Sequence, residues 1–193
     1  MLDFIKGEIV ELNPASVVIE TGGLGYAAHI SLNTYSALQG KKDTKIFIYE
    51  SIREDAHILF GFIDKRERSL FLHLITVSGV GANTARMMLS SLSCAELEAI
   101  ISSGNANALK AVKGIGTKTA ERIIIDLKDK IKMTGGPNVS TENISDKAGD
   151  EAVSALMMLG FNQAASQKVV NKILHNLPQS TVEEIIKSAL KML

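Results

Sequence analysis

Short apolar runs separated by polar turn residues occupy the first third of the chain, and from residue 64 onward the apolar positions take helical spacing. Phe4 to Leu12, Ser16 to Glu20, Gly25 to Ser31, Lys45 to Glu50 and His57 to Phe62 are rich in Val, Ile, Phe and Tyr. Turn chemistry such as Asn13-Pro14 and Thr21-Gly22-Gly23 divides them, which predicts five strands. An open sheet this small would leave its edges unpaired and bury little, so the strands are expected to close into a Greek-key barrel of the OB type. Asn33 to Leu38 is expected to form a helical turn capped by Asn33. Gly23-Leu24-Gly25-Tyr26-Ala27-Ala28 fits a dinucleotide-binding spacing, but it joins two strands and opens no helix, so it reads as a turn.

The middle third contains one unit twice. Gly79-Val80-Gly81-Ala82-Asn83-Thr84-Ala85 returns 35 residues later as Gly114-Ile115-Gly116-Thr117-Lys118-Thr119-Ala120. Leu70, Phe71, Leu74 and Ile75 mark a helix before the first copy, and Leu109 and Val112 one before the second. A further helix follows each copy, marked in the second by Ala120, Ile123, Ile124, Leu127 and Ile131. Between the copies, Ser93-Cys94-Ala95-Glu96 is a capping box opening a helix that ends near Gly104. In a helix, Gly-hydrophobic-Gly, helix unit the glycines permit a tight reversal and close approach by another molecule's backbone, while Val80 or Ile115 anchors the turn in the core. Free N–H groups at the start of the following helix then face outward, where the helix dipole favours an anion. Such a contact grips a sugar-phosphate chain and reads no bases. Lys118 and Arg122 add positive charge after the second copy. A Walker A loop needs Gly-Lys-Ser/Thr contiguous, and here position 111 is alanine, so this chain is not expected to hydrolyse ATP.

Thr134 to Asn143 concentrates Gly, Pro, Ser and Asn without apolar periodicity, as a flexible connection does. Beyond it, Glu151 to Leu159, Gln163 to Leu174 and Thr181 to Leu193 read as three helices, with Asn162 as an N-cap and Ser180-Thr181-Val182-Glu183 as a capping box. Roughly 45 residues make a marginal core. Leu156, Met157, Met158, Leu159 and Phe161 cannot all be buried in it, and an exposed remainder would be a partner surface, with Leu156, Leu159 and Phe161 as candidates. The expected fold is multidomain α+β: a five-stranded OB-type barrel over 1–63, an all-α domain with two helix-hairpin-helix motifs over 64–133, a linker over 134–148 and a three-helix bundle over 149–193.

Charge sharpens the choice of partner. The 193 residues carry 21 Lys+Arg and 21 Asp+Glu, yet residues 1–63 are net −3, 64–133 net +4 and 134–193 net −1. A polyanion would meet the middle third, although a solvated helix face with i,i+4 pairs accounts equally well for the count. The absence of Trp and the 5% aromatic content disfavour a barrel that stacks single-stranded bases. No apolar run approaches the ~18 residues of a membrane span, and the N-terminus lacks the order of a secretory signal, so a cytoplasmic protein is expected. The single cysteine, Cys94, can close no intrachain disulfide, and with His29, His57, His73 and His175 it offers no metal-ligand spacing. A glycosylase would need a catalytic carboxylate facing a base pocket, whereas Asp126 and Asp129 are placed to balance Lys128 and Lys130. A nuclease would need a clustered Asp/Glu/His set, which the sequence lacks.

The order of barrel, paired hairpins and small helical unit resembles the RuvA family over essentially the whole chain. Ser51-Ile52-Arg53-Glu54-Asp55-Ala56 before the last strand and Gly114 through Arg122 carry the resemblance most closely. It implies a non-catalytic subunit without cofactor that binds four-way (Holliday) DNA junctions as a homotetramer or two tetramers face to face, and holds them open. The RuvB ATPase would be loaded for branch migration, with the RuvC nuclease acting afterwards. DNA contacts are implied for Gly79, Val80, Gly81, Asn83, Thr84, Gly114, Ile115, Gly116, Thr117, Lys118 and Arg122, and the third domain is implied to dock RuvB. Glu54 and Asp55, which in isolation read as solvated turn residues, would form an acidic pin that repels phosphates at the crossover. Asn83 and Thr117 stand where a lysine is common in the family. With log K falling by about 0.9 per neutralised phosphate, two missing lysines flatten the salt slope by up to roughly two units per subunit. A general duplex-binding hairpin module without junction preference is the alternative.

Overall fold

Strands β1 (Phe4–Asn13), β2 (Ser16–Thr21), β3 (Leu24–Ile30), β4 (Asp43–Ile52) and β5 (His57–Phe62) pair in the order β1-β2-β3-β5-β4, and β4 returns to β1 to close the barrel. All pairings are antiparallel except β3 with β5, the crossover expected of the OB topology. Ile5, Val17, Ile19, Ala28, Ile30, Ile46 and Ile48 fill the interior, and helix α1 (Leu32–Leu38) adds Leu38. A Cβ at Gly7 would lie 1.9 Å from the Glu20 carbonyl oxygen, so only glycine lets β1 and β2 approach so closely there. The cap of α1 is Ser31, whose Oγ accepts from Thr34 N at 3.0 Å. This corrects Asn33, which stands inside the helix and sends its side chain elsewhere.

The computed structural model describes residues 1–134, 144–177 and 180–192, and its contacts divide the chain into two compact units, Met1–Gly136 and Pro137–Leu193. Among the described residues no helix is long and apolar enough to cross a membrane, and no group of three or more His, Cys, Asp or Glu could hold a metal ion.

Within the first unit, α2 (Lys65–Ile75), α3 (Ala82–Ser91), α4 (Cys94–Ser103), α5 (Ala106–Lys110) and α6 (Thr117–Thr134) follow the barrel. One hydrophobic core runs from Phe60 and Phe62 of β5 into these helices. Phe71 of α2 lies with its ring centroid 5.4 Å from Phe60, 4.8 Å from Phe62 and 5.3 Å from Tyr49, so barrel and helices share an aromatic joint. Residue 63 therefore marks a change of secondary structure inside a continuous core. Beside the joint, the buried carboxylate of Glu67 accepts hydrogen bonds from Ser31 Oγ, from Thr34 Oγ1 at 2.5 Å and from Ile63 N at 3.2 Å. The Ser93–Glu96 capping box opens α4, and Gly104 ends it at φ +74°.

Cys94 is half-buried, and burial, reinforced by Glu67, Asp64 and Glu98, pushes its thiol up to about 11. At pH 8 the thiolate is then on the order of one in a thousand molecules. The native protein is expected to react with a disulfide reagent about a hundredfold more slowly than after unfolding, which absorbance stopped-flow would record.

The second unit holds α7 (Ile144–Met158), α8 (Gln163–Asn176) and α9 (Val182–Ala189) around a core of Ala152, Val153, Leu156, Val170, Ile173, Ile185 and Ala189. Of the expected linker, residues 135–143 lie outside the described residues, while 144–148 belong to α7, a stretch that contains no proline to stop a helix. Asn162 caps α8 as expected. The box that opens α9 is Thr181 with Glu184, one residue beyond the expected frame; this frame turns Ile185 and Ala189 into the core.

Candidate nucleic-acid interface

The two hairpins match hydrogen bond for hydrogen bond. Val77 N donates to Leu74 O at 3.1 Å and Val112 N to Leu109 O at 3.1 Å; Val80 N donates to Val77 O at 3.0 Å and Ile115 N to Val112 O at 3.1 Å. The helices beyond open alike, with Ala85 N on Gly81 O and Ala120 N on Gly116 O, both 2.9 Å. Gly79 and Gly114 occupy the left-handed region at φ +92° and +93°, which the reversal requires and L side chains avoid. Val80 and Ile115 are 5% and 6% exposed. Their amides are also engaged within the turn, so the side chains of these two residues anchor the hairpins in the core.

What remains outward is the start of each following helix. Gly81 is the N-cap of α3, no side chain caps that end, and the space where a Cβ would stand is open at both Gly81 and Gly116. The first-turn amides of α3, on Ala82, Asn83 and Thr84, have no intrahelical acceptors. Asn83, Thr117, Lys118 and Arg122 are exposed, Thr84 is half-buried, and Lys110 and Lys113 extend the exposed basic edge of the second hairpin. The hairpins meet each other: Arg122 Nη1 donates to Ser78 O at 3.4 Å, and Thr119 Oγ1 would lie 3.8 Å from a Cβ on Gly79.

Glu54 and Asp55 are exposed in the turn between β4 and β5, closed by a hydrogen bond from Arg53 N to Ala56 O at 2.8 Å. A cleft of about 210 Å³ separates this acidic turn from the first hairpin, bringing Arg53 and Asp55 to one wall and Gly81 to Thr84 to the other. Sequence reasoning did not single out Arg53, although it directly precedes the acidic pair. At the base of the turn, Glu50 accepts from Leu2 N at 2.8 Å, the main cause of its lowered pKa, and lies 3.4 Å from His57 Nε2.

In the second unit, Leu156 is fully buried and is corrected from a candidate partner contact to a core residue. Leu159 is exposed at 60%, beside Met157 and Met158, and Phe161 is half-buried against the core.

Three family models match the chain: the RuvA N terminal domain over residues 1–61, a SAM-like helix-hairpin-helix tandem over 71–129 and the RuvA C-terminal domain over 147–193. Curated relatives named Holliday junction branch migration complex subunit RuvA align over the full length of both chains. Those of Azobacteroides pseudotrichonymphae, Bacteroides thetaiotaomicron and Flavobacterium psychrophilum are 65%, 58% and 46% identical.

Proposed function

Because the chain belongs to the RuvA family, we propose that it binds four-way (Holliday) DNA junctions, without sequence preference, as a non-catalytic subunit of a branch migration complex. The observation that carries this reading is the doubled hairpin: two helix starts with open space at Gly81 and Gly116, the first of them facing an acidic turn across a narrow cleft. Each helix start offers amides and a favourable dipole to a backbone phosphate, and Lys118 and Arg122 add mobile charge at the second. Two such grips per protomer bind weakly, so useful affinity needs several protomers on several arms. A homotetramer supplies four, and two tetramers face to face enclose the junction. Gathered at a fourfold axis, the Glu54–Asp55 pairs repel phosphates and penalise a duplex laid across the centre. The energy for migration comes from the partner ATPase RuvB, docked on the second unit near Met157, Met158 and Leu159, and RuvC resolves the product in the cytoplasm.

The test is titration of the full chain with a four-way junction and a linear duplex of matched length across a salt series, with its mass in solution recorded. Tighter junction binding by a tetramer or octamer is expected; equal, weak binding by a monomer leaves a general duplex-binding module. Glu54→Ala with Asp55→Ala is expected to keep junction binding and raise duplex binding several-fold. Unchanged discrimination removes the acidic pin.

A further inference from the structure

Helix α3 carries the first hairpin at its N-terminus, and a stripe of polar contacts along the rest of it ties it to the barrel. Arg86 Nη1 donates to Ala15 O at 3.3 Å and Ile30 O at 3.1 Å, two residues already joined by Ile30 N on Ala15 O at 3.0 Å. Arg86 thus grips the point where β2 begins and β3 ends. Four residues on, Ser90 Oγ accepts from Leu32 N at 3.1 Å. At the far end Asn33 Nδ2 donates to Leu89 O at 2.6 Å and Leu92 O at 3.0 Å, capping carbonyls that the helix leaves unpaired.

Apolar burial beneath α3 holds it near the barrel but is non-directional, so it does not set the helix's rotation. Directional hydrogen bonds do. Among the described residues Arg86 Nε is buried without a hydrogen-bond partner, so the guanidinium is held here through its Nη1 bonds. One turn back along α3, Asn83 and Ala82 line the cleft whose other wall carries Arg53 and Asp55. A rotation of α3 on the barrel changes the width of that cleft directly. The hairpins have a separate contact with each other, from Arg122 Nη1 to Ser78 O, which does not pass through Arg86.

We propose that Arg86, with Asn33, is a positioning residue that sets the gap between the first hairpin and the acidic turn, and thereby the preference for a junction over a duplex. This rests on the junction-binding reading above. A duplex on one protomer requires the hairpins to be placed relative to each other; a junction also requires them to be placed relative to the acidic turn.

The experiment compares Arg86→Met, Arg86→Lys and Asn33→Ala with the wild-type chain, each at verified solution mass. Arg86→Met is expected to lower the junction-over-duplex affinity ratio about fivefold while leaving duplex affinity and its salt slope unchanged. Lysine, which can still reach a carbonyl, restores most of the ratio, and Asn33→Ala acts in the same direction as Arg86→Met. Combined with Glu54→Ala and Asp55→Ala, Arg86→Met adds little, because both act through one gap. A wild-type ratio in Arg86→Met, an equal loss of junction and duplex affinity, or additivity overturns the proposal. A wild-type chain without junction preference removes the functional reading as well, whereas a preference that survives Arg86→Met removes this inference alone.

Discussion

Replacing Gly81 and Gly116 together by aspartate is expected to abolish DNA binding, with at least about a hundredfold loss of affinity, while the protein stays folded. No atom of the described residues lies within 4 Å of a Cβ built at either position, and neither glycine occupies the left-handed region, so the backbone accepts a side chain. Aspartate is moreover a good N-cap and suits the positive end of a helix dipole. Its carboxylate would occupy the amides that would otherwise hold a phosphate, and would add a negative charge at each grip. Gly79 and Gly114 make a poorer test: at φ +92° and +93° an L residue costs roughly 1–2 kcal/mol of backbone strain, which mixes folding with binding. Denaturation curves and DNA titrations on the same preparation separate the two effects. Wild-type affinity in the folded double variant would remove the hairpins from the interface.

Glu67→Ala is expected to cost about 3 kcal/mol of stability, read from chemical denaturation, because it leaves the buried hydroxyls of Ser31 and Thr34 without their acceptor and removes one of the two acceptors of Ile63 N. Ser31, Thr34 and Ile63 all point at this carboxylate, and through it α1, the end of β5 and α2 are joined. Burial holds the Glu67 pKa above its ordinary 4.5, against the lowering effect of those hydrogen bonds. The unfolded chain releases this proton first as pH rises, so the folded state holds more protons between the two pKa values. The contribution is fully present below the ordinary value and is lost as pH rises through the folded one. His73 works the other way: burial, with Lys130 nearby, holds it below 6.5, so stability is lost as pH falls through that region. Asp3, held down by Arg68, and Glu96, held down by Ser93, lose their contributions only in more acid solution. Comparison with Glu67→Gln isolates Glu67, since the other groups are common to both proteins. The advantage of wild type over Glu67→Gln is expected to grow as pH falls from neutrality towards the ordinary value of 4.5. A difference that does not change with pH shows that Glu67 does not titrate in that range.

The features legible in the sequence are those whose causes lie within a few residues. Strand runs and turn residues located all five strands, and Ser93 with Glu96 located the start of α4, because a cap reads only its own first turn. The 35-residue repeat announced two like turns, and both glycines indeed lie near φ +93° with the same internal hydrogen bonds. Where two local frames competed, packing chose: Thr181 over Ser180 as a cap, because that phase buries Ile185 and Ala189. In α7 the sequence showed an excess of apolar residues, but only the arrival of α8 and α9 put Leu156 inside and Met158 and Leu159 outside. Other features rest on partners far apart in the chain. Asn33 is drawn from its expected cap to carbonyls 56 and 59 residues away, Glu67 is buried by hydroxyls 33 and 36 residues away, and Arg86 reaches carbonyls 56 and 71 residues away. The cleft between the acidic turn and the first hairpin is of the same kind. Local propensity and spacing specify elements and turns, whereas burial and long-range hydrogen bonds exist only once the chain has closed, and these set where the elements face one another.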